Sequence, residues 1–146
     1  MKFIFKFLAL VVTLNLVRYF VAGPIEQFTI LPKLFGAMSE NPTVFNNEFT
    51  TIDWVTSFFY NFMMWFIVTV VFVLMHKNLQ GNMMIKSLKV FGLMFLLFAS
   101  ISAIYMNHYT HAKTFYILNI LDGVIAFTIV ALANGLLYPR FFKKEL

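Results

Sequence analysis

The sequence contains no cysteine, which excludes disulfides, thiolate metal sites and cysteine nucleophiles and leaves redox usage silent about compartment. Charge is scarce as well. Only 12% of the 146 residues are Asp, Glu, Lys or Arg, and 6 of these are acidic, whereas a soluble domain carries about a quarter of its residues charged. No phosphate-binding glycine loop, zinc-protease motif or serine elbow occurs. Nothing names a catalytic residue, and the reading leans away from an enzyme. Repeats and low-complexity segments are missing too.

What is present is mostly hydrocarbon. Hydrophobic residues make up 61% of the chain, and the mean hydropathy is +0.82. This is the composition of an integral membrane protein, and the length leaves room for one compact bundle over residues 1–146 with no separate soluble domain. Phenylalanine alone contributes 20 residues. With plentiful Ile, Asn and Lys, it points to an AT-rich bacterial genome.

Continuous apolar runs at Phe3 to Ala22, Trp54 to Met75, Val90 to Met106 and Phe115 to Leu137 predict transmembrane helices. They lack the short alternation of barrel strands. The predicted fold class is therefore all-α, a four-helix membrane bundle, with the third span the shortest.

The net charge of +5 would suggest nucleic acid in a soluble protein. Here the basic residues flank the apolar runs, where anionic headgroups account for them, so no nucleic-acid partner is expected. Lys2, Lys6, Lys77, Lys86, Lys89, Arg140, Lys143 and Lys144 fall on one side. Glu26, Glu40, Glu48 and Asp53, with Lys33 and Lys113, fall on the other. Both termini are then cytoplasmic, and the localisation expected is multi-pass in a bacterial inner membrane. Phe20-Val21-Ala22 follows Arg18 and Tyr19 without a small residue at the minus-three position, so the first run is expected to stay as a span and not to be cleaved as a signal.

Gly23 to Ile52 is expected to form a long extracytoplasmic loop, since Pro24, Pro32 and Pro42 prevent a single helix. Within it Gln27 to Met38 is apolar enough to lie along the interface or dip into the bundle. The loop reads either as a lid or partner surface or as a plain cap.

Two opposite charges stand inside the apolar runs. Arg18 lies about 6 Å inside the end of the first, and Asp122 about 10 Å inside the matching end of the fourth. An isolated charge at the centre of a span costs about 2.5 to 3.5 kcal/mol, so a pair at similar depth has reason to meet or to share a wet cavity. Arg18 can instead snorkel to the headgroups. Asp122 is too short for that and is either a structural partner of Arg18 or Asn15 or a functional carboxylate.

Asn119, Asp122, Gly123, Ala126 and Ala133 recur at helical spacing along the fourth run, and Asn15, Arg18 and Ala22 share a face of the first. Asp53, Ser57 and Asn61 do the same in the second, while Gly92, Ala99, Ser102, Ala103 and Met106 form a small-residue face in the third. Tight helix packing explains much of this. The polar members nonetheless concentrate in the outer half, which makes Arg18, Asp122, Asn15, Asn61 and Asn119 the candidate ligand-binding or ion-pair residues around an outward cavity. His108 and His111, three apart, are the only candidates for a metal, and such a site would need further ligands. No matching histidine offers a bis-histidine haem site, and no cofactor is identified.

The chain resembles the small four-span bacterial membrane proteins grouped as DoxX-like. The likeness rests on Leu16-Val17-Arg18-Tyr19-Phe20 late in the first span, the Gly23-Pro24 exit and the segment through Pro32-Lys33. That resemblance implies a quinone-linked or oxidative-stress accessory role. The acidic residue it implies early in the second span has no counterpart in 63–73, and no site residue is carried over. The expected function is binding of a lipophilic ligand such as lipid or quinone, or of a membrane-protein partner or second copy, at the outer polar pocket. The alternative is a proton- or cation-coupled transporter or channel subunit using Asp122 and Arg18.

Overall fold

The computed structural model describes residues 2–46, 48–109 and 112–143. Its helices are α1 (Lys2–Val17), α2 (Gly23–Thr29), α3 (Leu31–Ser39), α4 (Thr51–Met75), α5 (Met83–His108) and α6 (Lys113–Phe141). A π-helical turn, Arg18–Ala22, joins α1 to α2, and a short 3-10 turn, His76–Asn78, ends α4. Four helical stretches are long and apolar enough to cross a bilayer, which fits an integral multi-pass membrane protein.

Local chemistry sets the helix starts. The Thr50 hydroxyl accepts from the Asp53 N–H, and the Asp53 carboxylate accepts in return from the Thr50 N–H at 2.8 Å, a reciprocal cap that opens α4. Asn82 caps α5 by accepting from the Ile85 N–H at 2.9 Å. The third span therefore begins at Met83, ahead of the expected Val90, and takes in Lys86 and Lys89.

The first span departs most from expectation. Gly23-Pro24 is no exit: the helix runs on to Thr29. Proline has no N–H to donate and clashes with the preceding turn. The π turn absorbs this, with the Gly23 N–H reaching back five residues to the Arg18 carbonyl. The expected loop is thus largely helical, and among the described residues its irregular parts are 41–46 and 48–50. Phe45 from that stretch packs on Phe115 at 4.3 Å, and Phe49 packs on Trp54 at 5.3 Å.

α1 lies beside α4 and α6, and α5 beside the same two, so the long helices form a ring of antiparallel neighbours. α2 and α3 fold back against the start of α6. Lys2, Lys6, Lys77, Lys86, Lys89 and Arg140 consequently gather at the opposite end of the bundle, while Lys144 lies outside the described residues.

The core is closed by Leu10, Val11 and Leu14 of α1, Trp65, Val68 and Phe72 of α4, Val90 and Phe91 of α5, and Phe127 and Val130 of α6. Buried positions on α6 recur at three and four residues, from Gly123 and Ala126 to Asn134 and Tyr138, as an inward helical face requires. On α5 the buried face is Ser87, Val90, Phe91 and Ser102. Ala103, expected on the packed side, is exposed. Outward side chains are large and apolar, with Phe5 78%, Phe20 75% and Leu74 71% exposed. A surface of that kind suits hydrocarbon.

Candidate functional site

The end of the bundle capped by α2 and α3 holds nearly all the expected polar residues. Arg18, Asn61, Asn119 and Asp122 line a single cavity of about 160 Å³, together with Phe98 and Gly123. Each long helix contributes: Arg18 follows α1, Asn61 comes from α4, Phe98 from α5, and Asn119 and Asp122 from α6. Gly123 has a packing reason, since a Cβ there would lie 2.8 Å from the Phe98 ring.

Arg18 does not pair with Asp122. Its guanidinium meets the Glu26 carboxylate at 2.5 Å, a residue the sequence reading left among the loop charges. The π turn is the cause. In an unbroken α-helix residues eight apart point about 80° away from each other. The π turn takes up one extra residue, so Glu26 stands where a seventh would, within about 20° of Arg18. Glu26 is only 1% exposed. Oε2 takes the guanidinium contact, and Oε1 is buried without a hydrogen-bond partner.

Asp122 faces the cavity with its Oδ1 buried and unpartnered. It lies within Coulombic reach of both Arg18 and Glu26. One guanidinium therefore serves two carboxylates, Glu26 in direct contact and Asp122 across the shared cavity. Asn61 is fixed from beneath: the Trp65 indole N–H donates to Asn61 Oδ1 at 2.7 Å, which turns the amide N–H₂ of Asn61 into the available donor.

Asn15 is buried but does not line the cavity. Its amide donates back to the Val11 carbonyl at 3.0 Å, and its Oδ1 is left without a partner. His108 ends α5 on an exposed surface, and His111 lies outside the described residues, so the pair has no defined geometry. Among the described residues no cluster of three or more metal-ligating side chains forms.

A second recess adjoins the first. Tyr19, Trp54, Ser57, Phe58 and Asn61 line about 350 Å³ between the π turn and α4. Tyr19 and Phe58 stack at 5.5 Å along it. Asn61 belongs to both walls, so an aromatic recess and a polar chamber meet at one side chain.

Sequence reasoning missed a further buried polar group at the opposite end. His76 is 3% exposed; its Nδ1 lies 2.9 Å from the Val73 carbonyl and its Nε2 3.4 Å from the Tyr138 hydroxyl. Ser87 donates to the Ala131 carbonyl at 2.7 Å, and Asn134 donates to Ser87 at 3.0 Å. The Ser87 contacts tie α5 to α6, and the His76–Tyr138 contact ties the turn after α4 to α6. No protein-family model, curated protein or solved structure matches the chain.

Proposed function

We propose that this protein is a non-enzymatic membrane bundle that binds a lipophilic ligand in the half of the bundle under α2 and α3. The observation that carries this reading is the meeting of the aromatic recess with the polar chamber at Asn61. Small-molecule sites have this form, mostly apolar walls with a few converging polar groups. A chamber of about 160 Å³ suits a compact head group, and a recess of about 350 Å³ suits a chain or ring. The Lys and Arg distribution supports a chamber on the outer side, with both termini cytoplasmic in a bacterial inner membrane. A quinone is one such lipophile, and the DoxX-like resemblance of the first span favours it.

Conduction finds less support. Beneath the chamber Leu10, Leu14, Trp65, Phe72, Phe91 and Val130 are completely buried. Among the described residues the one hydroxyl buried at this level of α4, Thr69, donates to the Trp65 carbonyl of its own helix, so the floor offers a proton or cation little to replace its water.

Native mass spectrometry of the protein extracted in its own lipids, compared with Asp122→Asn, tests the reading. A bound small molecule that is reduced in the variant is the expected result. A bare species in both proteins, together with cation flux in reconstituted vesicles that Asp122→Asn abolishes, would replace binding by transport.

A further inference from the structure

Buried polar atoms without partners are chemically one-sided here. Among the described residues they are Asn15 Oδ1, Glu26 Oε1, Asp122 Oδ1 and Asn134 Oδ1, every one an acceptor, while Glu26 Oε2 is engaged by Arg18. All but the last belong to the end of the bundle that holds the chamber. The fixed charges lean the same way. With both carboxylates ionised, Glu26 and Asp122 stand against the single guanidinium of Arg18, which is already engaged by Glu26. Excess negative charge and excess acceptors in a low-dielectric space are costly unless a donor arrives.

Resting on the lipophile-binding reading above, we propose that the chamber takes a primary ammonium group carried on an apolar chain. The ammonium brings three N–H donors and one positive charge, which Asp122 Oδ1 lacks, while the chain lies along Tyr19, Trp54 and Phe58. An anionic head would meet two carboxylates. A hydroxyl head would supply one donor and leave the charge. A trimethylammonium head would supply the charge and no donor. The same ammonium chemistry is found on a free long-chain amine and on an ethanolamine phospholipid.

Trp54 lines the recess and Trp65 holds Asn61, so the intrinsic fluorescence of the protein in phosphatidylcholine nanodiscs reports on the site. Dodecylamine is expected to give a saturable change. Dodecanol, dodecanoate and dodecyltrimethylammonium are expected to bind about tenfold or more weakly. Asp122→Asn should weaken dodecylamine by about tenfold, and Asp122→Glu should restore it. If phosphatidylethanolamine nanodiscs abolish the response by occupying the site, the lipid head is the source; an undiminished response assigns the site to a free amine. Equal binding of the alcohol, the carboxylate or the trimethylammonium probe by the original protein overturns the ammonium assignment but leaves lipophile binding standing. Absence of a saturable response to every probe overturns both. Should Asp122→Asn fail to fold, the comparison of the four probes on the original protein still decides.

Discussion

Arg18 and Glu26 form their ion pair along one continuous helix, across a π turn that brings residues eight apart onto one face. The consequence is that Asp122, on α6, is not neutralised by the partner its depth would assign. The turn that accommodates Pro24 thereby also sets the charge balance of the chamber.

Breaking the pair from either side should cost more than removing it. Glu26→Gln leaves the guanidinium only the more distant Asp122 across the cavity, and Arg18→Leu strands a carboxylate that is 1% exposed. Loss of one member of a buried pair costs about 3 to 5 kcal/mol, reduced for Arg18 because part of its side chain reaches the surface. The double variant Arg18→Leu/Glu26→Leu should recover most of this stability, since a buried pair is often no better than a packed apolar one. Unfolding in mixed micelles with increasing dodecyl sulfate measures all three. Additive losses in the double variant would show that the two residues act independently.

Asn61 has a structural duty beside its place in both recesses. Asn61→Leu removes the acceptor of the Trp65 indole N–H. Trp65 is fully buried against Phe127 at 5.0 Å and has no route to water. The unsatisfied donor should cost about 1 to 3 kcal/mol. The Trp65 emission should shift to shorter wavelength as the polar contact is lost, a change best read in a Trp54→Phe background. An unchanged spectrum would mean that the indole bond is not formed in the membrane.

The helices are legible in the sequence because hydrocarbon demands long apolar runs, and every run expected from composition is a helix. Their ends are less legible. The apolar run of the third span starts at Val90, with Lys86 and Lys89 in the connection before it, but lysine stems lie readily along a helix end, and Asn82 caps that helix earlier. The grouping of Arg18, Asn61, Asn119 and Asp122 follows from depth and helical period, and the structure brings them to one cavity. The pairing within that group does not follow, because a π turn leaves no compositional mark. Its one trace is that apolar Ile25, Phe28 and Ile30 continue past Gly23-Pro24, as in a helix that has not ended.

At the opposite end, Ser87→Ala should act mildly. It removes the donor to the Ala131 carbonyl and the acceptor of the Asn134 amide. Interhelical hydrogen bonds within bilayers contribute about 0.6 kcal/mol on average, because the separated helices also find partners. A loss of about 1 kcal/mol is the expected outcome in the same dodecyl sulfate titration.

Gly135→Ala should be worse, although it deletes no hydrogen bond. A Cβ at Gly135 would lie 2.8 Å from the Met84 Cα and 2.9 Å from its sulfur. The sulfur can swing away, but the Cα belongs to the first turn of α5 and can yield only if the two helices separate. Overpacking of that kind typically costs about 1 to 3 kcal/mol. At Gly123 the added methyl meets the edge of the Phe98 ring instead, which can turn without moving backbone. Gly123→Ala should therefore leave stability closer to the original while narrowing the chamber. Measured side by side, the two variants separate fold from site: Gly135→Ala lowers resistance to dodecyl sulfate, and Gly123→Ala lowers ligand capture. The reverse pattern would mean that the closest contact between α5 and α6 lies at the chamber rather than at Met84.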